Sequence, residues 1–121
     1  MGGPTLLLLE ETPSLASGLA TVLAQGGFEV VPTRATSEAL RYVRSPRGLR
    51  LRLILVVSDE PVSGATKALM RDLEGPARRV PRLLVHGPRF RLTPGVQREF
   101  EAVPASGRSE SLVARCRELA K

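Results

Sequence analysis

Two stretches of this 121-residue chain, Leu6 to Leu9 and Leu53 to Val57, are apolar without interruption. A strand of that kind has no polar face to turn to water, so it belongs in a sheet covered on both sides. Covering both faces of a sheet requires helices between the strands, and the rest of the chain has the periodicity to supply them. Thr12-Pro13 offers an N-cap followed by proline at the first helical position, and Leu15, Leu19, Val22 and Leu23 recur at helical spacing until Gly26-Gly27. Phe28 to Val31 reads as a second strand closed by Pro32, and Thr36 caps a helix with Ala39, Leu40 and Val43 on one face.

Ser45-Pro46-Arg47-Gly48 is a turn into the third strand, Leu51 to Val57, whose apolarity places it in the middle of the sheet. Pro61 and Gly64 mark the following loop; Ala65, Leu69, Met70 and Leu73 give a further amphipathic helix, ended by Gly75-Pro76. Arg82 to Val85 is the fourth strand. Between Pro88 and Glu99 the apolar period is poor, and Thr93-Pro94 starts only a brief helix before a last strand near Phe100 to Val103. A terminal helix from about Ser109 carries Leu112, Val113, Cys116, Leu119 and Ala120 on one face. Strands alternating with helices predict right-handed crossovers and a parallel α/β sheet in one domain spanning residues 1–121.

Composition narrows the class. A chain of this length can bury one core without disulfides or a structural metal, and Cys116 is the single cysteine, so no internal disulfide is expected and a cytoplasmic setting is the default. No apolar run approaches the length of a membrane span. Sixteen arginines and two lysines give a net charge of +6, which admits acidic partners, nucleic acid included. The four aromatics Phe28, Tyr42, Phe90 and Phe100 form no stacking platform. Glu10-Glu11-Thr12-Pro13 stands where a glycine-rich phosphate loop would be. A nucleic-acid-binding domain using its arginines is therefore an alternative of lower rank than a protein-binding one.

The order of elements, the acidic pair after the first strand, the Pro and Gly after the third and the amphipathic last helix resemble the receiver domain of two-component response regulators. The resemblance implies a flavodoxin-like three-layer sandwich, with a five-stranded parallel sheet of order 2-1-3-4-5 and a fourth helix that is short or irregular. It also implies a signalling domain rather than an enzyme. In that family two acidic residues after the first strand hold Mg²⁺, and Glu10 and Glu11 occupy the place. The phosphoacceptor aspartate lies four residues before the proline, and counting back from Pro61 gives Val57. A valine cannot form an acyl phosphate. His86 replaces the family's Ser or Thr at the end of the fourth strand, and Ala105 replaces its lysine after the fifth.

With acceptor, hydroxyl and lysine all changed, the expectation is a degenerate receiver that takes no phosphate, has no cofactor and works by protein–protein contact. Glu10 and Glu11 are weak metal candidates, since a third carboxylate is missing. The competing expectation is a working receiver that uses Asp59, two residues on, with Mg²⁺; a buried strand resists that change of register. Asp59 and Glu60 are otherwise loop acids. The irregular fourth helix belongs to the surface through which many receivers dimerise, so a homodimer is a further expectation. Arg44, Arg47, Arg50, Arg52, Arg78, Arg79 and Arg82 gather where loops enter strands, as a candidate edge for an acidic partner. Arg108, at the opposite edge, is a candidate to neutralise Glu10 or Glu11.

Overall fold

The computed structural model describes residues 3–59 and 80–121. Five strands, β1 (Thr5–Glu10), β2 (Glu29–Thr33), β3 (Leu51–Ser58), β4 (Arg82–His86) and β5 (Glu101–Pro104), form one parallel sheet in the order β2-β1-β3-β4-β5. Four α-helices accompany them among the described residues: α1 (Leu19–Gln25), α2 (Thr36–Arg44), α3 (Pro94–Glu99) and α4 (Ser109–Leu119). The helix expected over Ala65 to Leu73 lies outside the described residues. The two uninterrupted runs sit where their composition demands. β1 pairs on both sides with β2 and β3, β3 with β1 and β4, and both are buried along nearly their whole length.

Alternate residues of each central strand feed two separate cores. Leu7, Leu9, Ile54, Val56 and Leu84 face Ala39 and Val43 of α2, together with Val96 and Phe100 around α3. Leu6, Leu8, Leu55, Val57 and Leu83 face Leu19 and Leu23 of α1 and Cys116 of α4. Burial pushes the Cys116 thiol up to about 11, as befits a small core group rather than a nucleophile. One departure from strict alternation occurs in β3. Thr5 pairs with Leu51 but Leu6 pairs with Leu53, so Arg52 is an extra residue bulged out of the ladder. The bulge turns Leu51 into the α2 core while Leu53 joins the opposite one, and leaves Arg52 exposed.

Three expected boundaries shift for local reasons. The first helix is not continuous from Thr12: Pro13–Ala16 forms a 3₁₀ turn, and Gly18 at φ +74° separates it from α1. The Thr12 hydroxyl caps nothing, because it is used elsewhere. Pro32 lies inside β2 rather than beyond it, which an edge strand tolerates since its missing N–H would only face solvent. Thr36 is the first helical residue of α2, with Ala35 as the cap, and its buried Oγ1 has no hydrogen-bond partner among the described residues. Thr93 does cap as expected, accepting from the Val96 N–H at 3.2 Å and starting a helix of only six residues.

Two arginines of α4 tie the terminal helix to the rest. Arg117 donates through two guanidinium nitrogens to the Gly26 carbonyl, at 2.9 and 2.7 Å, closing the C-terminus of α1. Arg115 makes a bidentate pair with Glu101 at the start of β5 and reaches Glu118 at 2.8 Å. The hydrogen bond from Arg115 holds the Glu101 carboxyl below its usual range, aided by its charge and opposed by burial. A depressed carboxylate stabilises the fold above its unfolded pKa, and that contribution is lost as pH falls through the folded value. The stability gap between the native protein and Glu101→Gln should therefore be present at pH 7 and close on acidification below about pH 4, followed by urea midpoints.

Candidate functional site

Strand register assembles one end of the sheet, the end where chains leave the strands. Glu10 pairs with Val57, Val57 with Val85, Ser58 with His86, and His86 with Pro104. The Ala105 N–H then donates to the His86 carbonyl at 2.8 Å. Glu10, Val57, His86 and Ala105, scattered through the sequence, thus lie along one row, with Glu11 and Asp59 one and two residues beyond it. In open parallel sheets this edge is where ligands bind.

The centre of the row is closed by hydrocarbon. Val57 is fully buried, part of the core that includes Leu6, Leu8, Leu55 and Val85. Ser58, which the sequence reading passed over, is also fully buried, and its hydroxyl donates to Glu11 Oε1 at 2.5 Å. A lone serine ending an apolar strand was the available signal, because a buried hydroxyl requires a partner. The Thr12 N–H donates to the Val57 carbonyl at 3.1 Å, and the Asp59 N–H donates to Thr12 Oγ1 at 2.9 Å. The loop after β1 is thereby stitched to the end of β3.

Asp59 continues the stitching to the next strand. Its carboxylate lies against Gly87 and accepts from the Arg89 backbone N–H at 2.6 Å, while the Gly87 N–H donates to the Ser58 carbonyl at 3.1 Å. The carboxylate therefore bridges toward the loop after β4. Glu10 faces Arg34, whose Nε stands 3.8 Å from Oε2. Arg108 makes no ion pair with either glutamate; it stands at the N-cap position of α4 and lines a cleft beside it, and among the described residues the cation beside Glu10 is Arg34. His86 Nδ1 lies 3.3 Å from the Gly87 carbonyl oxygen, and its ring is 6.2 Å from that of Phe90. Phe90 itself is buried as an anchor of this loop.

Mg²⁺ needs convergent oxygen ligands at near-octahedral angles. Here Glu11 is engaged by Ser58, Glu10 faces Arg34, and Asp59 accepts from Arg89. Among the described residues no group of three His, Cys, Asp or Glu side chains gathers in a way that could hold a metal ion. Among the described residues, Glu10, Glu11 and Asp59 do not converge as that ion requires.

At the opposite edge Arg44, Arg47, Arg50 and Arg52 are exposed, and Arg82 is half-buried at the start of β4. Arg78, Arg79 and Glu60 lie outside the described residues. The 3₁₀ turn Pro46–Arg50, directly before β3, presents Leu49 among these arginines at 85% exposure, an apolar group that charge counting along the sequence did not pick out.

No protein-family model and no curated protein matches the sequence. Solved structures do match. The chain is similar to the receiver domain of a Francisella response regulator, with a TM-score of 0.75 at 15% identity over 98% of this chain and 97% of that one. It is similar to a CheY-like response regulator receiver domain protein from Methanospirillum hungatei, with a TM-score of 0.74 at 14% identity over 97% and 93%. A signal receiver domain of a histidine kinase from Syntrophus aciditrophicus gives 0.72 at 21% identity over 98% and 90%. In strand order, in helices on both faces and in the likeness to these structures, the chain has the fold of a response regulator receiver domain.

Proposed function

We propose that this domain is a degenerate receiver that takes no phosphoryl group and acts in signalling by binding a protein partner. The observation that supports this reading is the burial of Val57: the residue that counting back from Pro61 puts at the acceptor position of receivers is a fully buried valine. Around it the acidic groups are turned to other uses. Glu11 and Asp59, which a working site would need to offer to Mg²⁺ and phosphate, accept hydrogen bonds from Ser58 and Arg89. Those bonds hold the edge in one arrangement, so partner availability rather than phosphate governs binding.

The surface offered to that partner is the edge where chains enter the strands. Arg44, Arg47, Arg50 and Arg52 can clasp carboxylates bidentately, and Leu49 provides the apolar contact that a purely electrostatic patch lacks. A partner with an acidic surface and a small apolar recess suits it.

Incubation with a small phosphodonor and Mg²⁺, followed by intact mass, tests the central claim. The expected spectrum is that of the unmodified chain. A labile phosphate adduct that disappears in Asp59→Asn would overturn the reading in favour of a displaced acceptor.

A further inference from the structure

The broken first helix leaves a space that none of the foregoing uses. At the entering edge α1 and α4 are drawn together, with Arg117 on the Gly26 carbonyl. At the leaving edge Ser17 and Gly18 interrupt the first helix, and the facing chain brings small residues, Ala105, Gly107, Ser109 and Ser111, alongside Arg108 and Leu112. Between them lies a cleft of about 420 Å³. That is within the usual size range of small-molecule sites, roughly 300–1,000 Å³.

Its chemistry is two-sided. Leu15, Leu19, Val22, Val85, Val103 and Leu112 contribute an apolar floor and walls. Arg108, Ser109 and Ser111 stand on the lining at the N-terminus of α4, an eleven-residue helix with no side-chain cap. Arg115 also borders the cleft, but its guanidinium is committed to Glu101 and Glu118. Arg108 is exposed and has no ion pair among the described residues, and no carboxylate lines the cleft. Glu110, the acidic residue of the first turn, is not on the lining, so the charge that faces the cleft is that of Arg108, at the helix end that favours an anion.

We infer that this cleft binds a small amphipathic carboxylate, with its hydrocarbon between α1 and α4 and its head group on Arg108 and the α4 N-terminus. Apolar walls would take the chain, and a guanidinium with adjacent hydroxyls and free helix N–H groups would fix the head. Binding there requires neither the acceptor position nor a partner at the arginine edge. An occupant would touch Val85 and Ala105, neighbours of the row around Val57, and so would stand beside the place where receivers respond to phosphate.

Methyl-detected NMR titration of the whole chain with octanoate, and with 1-octanol as its neutral counterpart, tests this. Saturable shifts are expected at Leu19, Val22, Val103 and Leu112, with octanol binding about tenfold more weakly. Arg108→Gln should bring octanoate down to the level of octanol. Ser17→Phe, a filling change at the exposed rim, should abolish both, and Ser111→Phe serves in its place if that variant does not fold. Shifts that never saturate or fall outside the cleft, equal affinity for the alcohol and the acid, or undiminished binding by a folded filling variant would each overturn the proposal.

Discussion

Val57→Asp, which puts an aspartate at the position proposed to correspond to the acceptor of receivers, should cost this protein about 3–5 kcal/mol instead of creating a site. The side chain there is fully buried, between the walls formed by Leu6, Leu8, Leu55 and Val85. Glu10 is its register partner on β1, so the new carboxylate would meet hydrocarbon and another acid. Domains of this size have only about 5–15 kcal/mol of total stability, and such a loss leaves the variant marginal. The charge can be separated from the change of shape. An aspartate in this position has a folded pKa raised above its unfolded value of about 3.9, so its neutral form is the better tolerated one. Its destabilisation should be small in acid and grow as pH rises through that range, whereas Val57→Asn should give a smaller loss that does not vary with pH. Urea midpoints for the two variants at pH 4 and pH 8 provide the comparison. Stability of Val57→Asp within 1 kcal/mol of the native protein at pH 8 would mean that the position opens to water, and the buried-core account of the row would fail.

Gly48→Ala is the second change with a large expected effect, about 3 kcal/mol of destabilisation. A Cβ at Gly48 would stand 2.1 Å from the Val43 carbonyl oxygen and 2.7 Å from its carbon. Both are backbone atoms at the end of α2, so no flexible side chain can swing aside. The 3₁₀ turn that carries Leu49, Arg47 and Arg50 would have to lift away from α2, loosening the Gly48 N–H bond to the Ser45 carbonyl at 2.9 Å. Chemical denaturation gives the loss, and amide shifts confined to residues 43–52 would locate it. A loss below 0.5 kcal/mol would show that the junction of helix and turn adjusts freely. The edge proposed for partner binding would then be a soft surface, not one held in place by close packing.

Much of the architecture was legible before the tertiary structure, for definite reasons. Leu6 to Leu9 and Leu53 to Val57 have no polar face, which forces central strands with helices on both sides, and both runs lie at the centre of the sheet. Thr93-Pro94 started a short helix because its capping chemistry is local. What misled was chemistry that looked local and was not. Thr12 before Pro13 reads as a helix cap, yet its hydroxyl serves Asp59, a residue distant in sequence. Pro32 reads as a stop, yet an edge strand has no use for the missing N–H. The bulge at Arg52 follows from packing Leu51 and Leu53 into opposite cores, a demand visible only when both layers are present.

The site divides in the same way. The sequence by itself determined the residue types along this row and set the expectation that valine, histidine and alanine replace the aspartate, hydroxyl and lysine of receivers; residue identity limits chemistry whatever the geometry, and a valine has no atom to accept a phosphoryl group. Only the tertiary structure decided what the remaining polar groups do. Hydrogen-bond partners depend on which loops the register brings within reach, so Ser58 claims Glu11, Arg89 claims Asp59, and Arg34 rather than Arg108 stands beside Glu10. The cleft between α1 and α4 is likewise a product of tertiary structure, since a void belongs to no single segment and its lining comes from residues 15–22, 85 and 103–115, which only the fold brings together.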